Sequence, residues 1–200
     1  MAEATPKKSL ITPVAILSYP SLDVARKSED SDGPPKFQAA LIFTVEAQAT
    51  PEYKAMQAAA IAAAQAAHPG KDVIELFKLG VENGGIRSPF RRNWEAKGYP
   101  QGSVYINART TQRPGLVMPD LSKVALEDIK SRFYAGCLVK ASVNPFYYGK
   151  KGNKGVSFGL NNMQWLRDGE RLDNRADASE EFTADMSATP ESIDDLVGGI

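Results

Sequence analysis

The chain has 200 residues, 42% of them hydrophobic, and its 24 basic residues balance 24 acidic residues. This length supports one sizeable core and excludes two full domains, and no segment reaches the roughly 18 to 20 apolar residues that cross a bilayer. One cysteine and one histidine exclude an internal disulfide and a structural zinc cluster. We therefore expect a cytoplasmic protein that binds no membrane, metal or cofactor.

The first half of the chain predicts two strands followed by a long helix. Residues 10–17 are apolar and β-branched but contain Pro13, which favours an edge strand. Residues 36–45 alternate between apolar and other side chains, which is typical of a half-buried strand. The alanine-rich residues 51–67 predict a helix, with Thr50 as its N-cap, and residues 72–79 predict a short helical piece.

The second half predicts further strands separated by loops. Residues 83–101 are punctuated by glycine and proline and predict a long functional loop. Residues 103–111 and 137–144 alternate as strands, the second ended by Pro145, and 155–165 form another strand after a glycine-rich hairpin. Partial helical spacing covers residues 121–133.

These elements predict an α+β, mainly β protein: an antiparallel barrel like the OB-fold, with one prominent alanine-rich helix and long loops. We expect the barrel domain to occupy residues 1–173. Residues 174–200 are poor in aliphatic side chains and predict a flexible, disordered tail.

The charge distribution indicates a polyanion partner. After Arg175 there is no lysine or arginine but seven acidic residues, which leaves 24 basic against 17 acidic residues in the rest of the chain. Residues 84–155 carry 13 basic against four acidic residues, and ten of the chain's 17 aromatic residues lie between Phe90 and Phe158.

Cations, amides and aromatic rings are predicted together on the outward faces of two strands and in the flanking loops. Bases stack on aromatic rings whatever their sequence, while lysine and arginine neutralise phosphates, so this mixture predicts a groove for single-stranded DNA. The candidate DNA-binding residues are Arg91, Arg92, Trp94, Tyr99, Tyr105, Asn107, Arg109, Arg113, Lys140, Asn144, Phe146, Tyr147, Tyr148, Lys150, Lys151 and Lys154.

Two other classes of function remain open. Asp120, Glu127 and Asp128 are the acidic cluster that a metal-dependent nuclease or end-processing enzyme would need, although their spacing also fits a helix start. A protein-interaction module whose basic patch meets an acidic protein is the third class. No catalytic residue set is evident; Cys137 fits a core thiol and His68 a helix end.

The acidic tail predicts a second binding role. Glu191, Asp194, Asp195 and Leu196 form an acidic-hydrophobic end that could dock on a partner protein or lie over this protein's own groove as a phosphate mimic. A solubilising end is the simpler alternative.

Several motifs resemble a bacteriophage single-stranded DNA-binding protein family, formerly known only as a domain of unknown function. They are AGCLVKASVNPF at residues 135–146, GVSFGLNN at 155–162, RDGERL at 167–172 and GSVYINAR at 102–109. The resemblance implies an OB-fold and sequence-tolerant binding of single-stranded DNA in phage replication and recombination. It also implies an acidic tail that contacts phage or host replication proteins, such as a polymerase, a helicase or recombination factors.

Overall fold

The computed structural model describes residues 9–27, 33–150 and 152–172, with the backbone alone at Lys150. Its strands are β1 (Leu10–Ile11), β2 (Ala15–Arg26), β3 (Lys36–Phe43), β4 (Val104–Thr110), β5 (Gly115–Val117), β6 (Leu138–Lys150) and β7 (Asn153–Arg167). Its helices are α1 (Val45–Gln48), α2 (Pro51–Ala67), α3 (Val73–Leu79) and α4 (Ile129–Arg132), with a 3-10 turn at Glu95–Lys97.

Five of these strands close into a barrel. They pair in the order β6, β2, β3, β4, β7, and β7 returns to β6 along most of its length. β4 and β7 run parallel at the closure, whereas the other four pairs in the ring are antiparallel. This is the connectivity of an OB-fold barrel, and the predicted fold class is confirmed.

Alternation along the strands separates the interior of the barrel from its outer face. Ala39, Leu41 and Phe43 of β3 lie in the core, as do Val104, Ile106 and Ala108 of β4, all as predicted. The thiol of Cys137 is fully buried in the same core. The intervening side chains of these strands therefore face outward.

Helix α2 covers one side of the barrel. Thr50 caps it by accepting a hydrogen bond from the amide of Tyr53 at 3.3 Å, and His68 ends it, so both predicted helix ends are confirmed. The stripe Tyr53, Met56, Ala60 and Ala64 is buried because these residues follow helical spacing. The tyrosine ring meets Phe43 and Phe90 at 5.4 Å.

Three predicted elements differ from the structure. Pro13 splits residues 10–17 in two, and the second part starts β2, an inner strand between β6 and β3 rather than an edge. β6 continues past Pro145 to Lys150 because it pairs with β7 along this whole stretch. Pro145 lacks a backbone N–H, which is tolerated because the pairing of β6 with β1 on its other side covers only Ser142 and Val143. Residues 121–128 are not helical.

No helix among the described residues is long and apolar enough to cross a membrane.

Candidate nucleic-acid interface

A row of side chains follows the outer surface around the barrel from β2 through β3, β4 and β7 to β6. Each member is the ladder partner of the next, and its sequence neighbours Ala39, Ala108 and Phe158 point into the core. Neighbouring strands lie about 4.8 Å apart, so five strands make a path of about 19 Å. We call this set the outer row: Ser21, Gln38, Arg109, Gly159 and Asn144. Ser21 is buried and donates its hydroxyl to the Val24 carbonyl, so the accessible part of the row runs from Gln38 to Asn144.

An exposed aromatic ring, Phe146, and a half-buried one, Tyr148, stand at the β6 end of the outer row. Phe146 and Tyr148 follow Asn144 at alternate positions and therefore share its outward face. The Phe146 side chain is 46% exposed. Its Cε1 atom lies 3.9 Å from the position that a Cβ on Gly159 would occupy, so the ring borders the gap that this glycine leaves.

The loop before β4 adds arginines to the same face. Arg91 exchanges backbone hydrogen bonds of 2.9 and 3.0 Å with Tyr105, and Arg87 donates its amide to the Lys154 carbonyl at 2.9 Å and bridges to Gly155. Ladder partners share a face, which places both arginines outward with Arg109.

No carboxylate neutralises these three guanidiniums within the described residues. The two ion pairs found there are Lys78 with Glu75 and Lys130 with Asp23. The outer row is therefore bordered by positive charge that is available to an anionic ligand.

The other half of the outer face is covered by the loop itself. Tyr99 packs edge-on against Tyr105 at 5.3 Å and donates a hydrogen bond from its hydroxyl to Ser18 at 3.1 Å, while the Tyr105 hydroxyl donates to Asn93 at 2.9 Å. Trp94 is half-buried against this cluster. Burial raises the pKa of Tyr99.

The structure therefore corrects one part of the site prediction. Tyr99 and Tyr105 do lie on the outer face, but they are only 7% and 4% exposed. Neither ring offers a face to a base, because the loop that carries Trp94 and Tyr99 folds over Tyr105 of β4 and forms a second, smaller core with Ala40 and Ile42.

Other predicted residues point away from the outer row. Tyr147 faces α2 and meets the His68 ring at 5.1 Å, and the Lys154 ammonium donates to the Gly84 carbonyl at 3.2 Å. Arg113 lies over the Phe37 ring at 5.1 Å. Lys140 faces outward on β6, four residues before Asn144 and so about 13 Å away along the strand.

The remaining predicted residues are divided between the outer face and segments without a description. Asn107 is half-buried and faces outward on β4, whereas Arg92 is exposed on the opposite side of its segment from Arg91, near Tyr53. The tail residues Glu191, Asp194, Asp195 and Leu196, together with Lys151 and the Lys150 side chain, lie outside the described residues.

The acidic cluster expected of a nuclease is not assembled. Asp120 accepts hydrogen bonds from the amide and hydroxyl of Ser122 at 3.0 and 2.6 Å, which lowers its pKa. Asp128 precedes α4 without capping it. In the part of the chain that the structure describes, no three His, Cys, Asp or Glu residues come close enough to hold a metal ion.

Sequence reasoning missed several residues of this face. The alternation of β3 predicts that Gln38 faces outward, but Ala40 and Ile42 on the same face are apolar and make that face look unlike a binding surface. Gly159 and Ser157 carry no charge or ring and so give no signal at all. Tyr19 lies just beyond the end of the predicted first strand and is exposed.

A five-stranded OB-type barrel with an arginine-bordered, partly aromatic outer face is the architecture of a nucleic-acid-binding protein. Residues 8–194 match the family described as "Enterobacter phage Enc34, ssDNA-binding protein", and the chain belongs to this family. The resemblance drawn from the sequence motifs is thereby confirmed.

One curated phage protein is similar to part of the chain. Protein p50 of Acyrthosiphon pisum secondary endosymbiont phage 1 is 35% identical over 97 residues, which are 48% of this chain and 50% of that protein. The chain thus spans about half the length of this relative.

Solved structures of two phage proteins share the fold. The single-stranded DNA-binding protein of bacteriophage Enc34 matches as a C-terminal truncation (TM-score 0.64, 19% identity, 81% of this chain and 87% of that chain). The same protein in complex with single-stranded DNA matches with TM-score 0.61, 21% identity, and 81% and 88% coverage. The single-stranded DNA-binding protein gp2.5 of bacteriophage T7 matches with TM-score 0.58, 10% identity, and 86% and 99% coverage.

Proposed function

We propose that this protein binds single-stranded DNA across the outer row, without sequence preference, during phage DNA replication and recombination in the host cytoplasm. The observation that carries the proposal is the accessible part of the outer row from Gln38 to Asn144, with an exposed ring at one end and arginines along its border. Family membership and the Enc34 protein solved with single-stranded DNA support it.

Each part of the face has a distinct role in this proposal. An unpaired base lies against Phe146 over the gap at Gly159, and stacking of this kind contributes about 1–3 kcal/mol per base. Arg87, Arg91 and Arg109 neutralise phosphates. Because a ring binds any base, the site is sequence-tolerant, and because the base must be unstacked from its strand partner, it selects single strands.

The test compares a labelled oligo-dT strand with a matched duplex by fluorescence anisotropy over a series of salt concentrations. Contacts from three arginines predict that log affinity falls with log salt with a slope of at least about −2, from about −0.7 per phosphate on single strands. Phe146→Ala should weaken binding about 5- to 150-fold, while the matched control Lys71→Gln, on the connection after α2, should not. Equal affinity for duplex and single strand would contradict the proposal.

We infer that the protein acts by binding rather than by catalysis. The dispersal of Asp120 and Asp128 within the described residues supports this view over the nuclease alternative. Labelled single strands incubated with the purified protein and Mg²⁺ should remain intact. Cleavage of many strands per protein molecule, lost on Asp120→Asn, would favour the nuclease alternative.

We also propose that the acidic residues 174–200 form a separate tail that recruits replication proteins and competes with DNA. Leu172 packs against the covered cluster that contains Tyr99 and Tyr105, so the described chain ends on the outer face of the barrel, beside the half that the loop covers. Removing residues 174–200 should tighten DNA binding at low salt. Unchanged affinity would reject the competition but not the recruitment.

A further inference from the structure

Tyr19 is an exposed ring on a strained segment of β2. Its side chain is 63% exposed and its backbone φ is +44°, one of two non-glycine residues with positive φ in the described ranges. A tyrosine in the left-handed region is disfavoured, and such strain persists where the surrounding structure fixes it, often at binding sites.

The flanks of Tyr19 are held firmly. The register of β2 on β3 shifts between Ser18 and Ser21, which makes an irregularity at Tyr19 and Pro20. Ser18 accepts the hydrogen bond from the Tyr99 hydroxyl at 3.1 Å, and Ser21 donates its hydroxyl to the Val24 carbonyl at 2.8 Å. The strained residue thus presents its ring from a fixed frame.

A cation accompanies the exposed ring. The Lys97 ammonium lies 5.6 Å from the centroid of Tyr19, and neither described ion pair includes this lysine. A stacking surface beside an ammonium matches the two chemical parts of a nucleotide, the base and its phosphate.

The position of Tyr19 relates it to the outer row. Ser21, two residues further along β2, is the end of the row opposite Phe146. β2 pairs with β6 only at Ala15 and Ile16, so at Tyr19 it forms the margin of the face. Exposed rings therefore stand near both ends of the outer row, whose path measured around the barrel is about 19 Å.

We propose that Tyr19 and Lys97 form a second nucleotide subsite, in which a base stacks on the tyrosine ring and the neighbouring phosphate contacts the ammonium. This subsite rests on the proposed function, since it extends the same DNA path to the margin at β2. It defines the length of strand that the domain needs for full affinity.

The test measures affinity for oligo-dT strands of increasing length, from about 4 to about 16 nucleotides, with the full-length protein. Wild-type affinity should rise in a step at the length that reaches from Phe146 to Tyr19. Tyr19→Gly should lose that step, about 5- to 150-fold for long strands, and bind the shortest strands as wild type does. Tyr19→Phe should retain the step, and Lys97→Gln should reduce the salt slope by about 0.7.

Strain makes the glycine variant informative. Glycine accepts φ of +44°, so Tyr19→Gly relieves the backbone while it removes the ring, and its melting temperature should be unchanged or higher. Tyr19→Asn, which also tolerates this conformation, guards against an effect of glycine alone and should lose the step as well.

The outcomes separate this inference from the proposed function. Suppose that the wild-type protein binds oligo-dT, and that Tyr19→Gly and Tyr19→Asn bind it equally well at every strand length. The second subsite is then wrong, whereas DNA binding on the outer row is not contradicted. If wild type fails to bind single strands at all, the proposed function itself fails.

Discussion

At the scale of single residues, Gly159 controls how closely a base can approach the floor of the interface. A Cβ at this position would meet the Asn144 carbonyl at 3.7 Å, Phe146 at 3.9 Å and the Arg109 carbonyl at 4.0 Å, which are ordinary contacts. The fold therefore tolerates a side chain here, whereas a stacked base would lose its space.

We predict that Gly159→Val leaves the melting temperature unchanged or higher, because a β-branched residue suits a strand, and weakens oligo-dT binding at least about 10-fold, which is about 1.4 kcal/mol. Gly159→Ala should bind much more like wild type. Thermal unfolding and anisotropy titrations measure the two effects, and full affinity in the valine variant would place the DNA elsewhere.

Substitutions at Tyr105 and Phe146 should have opposite effects, the first on stability and the second on DNA affinity. Tyr105→Phe removes the hydrogen bond to the exposed Asn93, whose carbonyl water can then satisfy, so it should cost at most about 1 kcal/mol of unfolding free energy with DNA affinity unchanged. Phe146→Ala should change affinity with little loss of stability, since nearly half of its ring is exposed. Denaturant unfolding and DNA titration of both variants check this crossed pattern, and a Tyr105→Phe protein that keeps its stability but loses DNA affinity would contradict it.

At the scale of elements, the loop between α3 and β4 has two structural roles. Its first part carries Arg87 and Arg91 onto the barrel face through backbone pairing, and its second part buries Tyr99 against Tyr105. The length of this loop is thus explained by the cover it provides as well as by the charge it carries.

Helix α2 should affect stability without affecting DNA binding. Thr50 both accepts from the Tyr53 amide and donates to the Ala47 carbonyl at 2.7 Å. We predict that Thr50→Ala lowers the unfolding free energy by about 1 kcal/mol and the melting temperature by about 2–4 °C, with unchanged oligo-dT affinity. A large loss of affinity in folded Thr50→Ala protein would show that α2 lies on the DNA path.

The elements also show what sequence can and cannot predict. Local signals, such as Thr50 before an alanine-rich run or alternation around Ile106, determine a helix cap or a strand face and were confirmed. The covering of Tyr105 depends on a loop that returns from elsewhere in the chain, and alternation carries no information about it. The prediction that Pro145 ends its strand was wrong for the same reason, because a strand tolerates a proline only where no neighbouring strand needs its backbone N–H, and the sequence does not show which strands lie beside β6.

At the scale of the whole molecule, alkaline pH should destabilise the fold. Burial raises the pKa of the Cys137 thiol and of the Tyr53 hydroxyl to about 12, from ordinary values of 9.0 and 10.0. The unfolded chain releases the thiol proton above pH 9 and the hydroxyl proton above pH 10, while the folded chain keeps both, so stability falls as pH rises toward 12, by up to about 1.4 kcal/mol per pH unit for each group.

Denaturant unfolding between pH 8 and 11 measures this fall, and Cys137→Ala should flatten the part between pH 9 and 10. A stability that stays constant to pH 11 in the wild type would show that neither group is protected in the folded state.

The account depends on unpaired bases lying on the outer row rather than elsewhere on the barrel. Ultraviolet cross-linking of oligo-dT to the full-length protein, with the attached peptides identified by mass spectrometry, tests this most directly. We predict cross-links at Phe146 and its neighbour Tyr148, and none at the covered Tyr105. Cross-links confined to Tyr134 or Trp165, which lie away from the outer row, would contradict it.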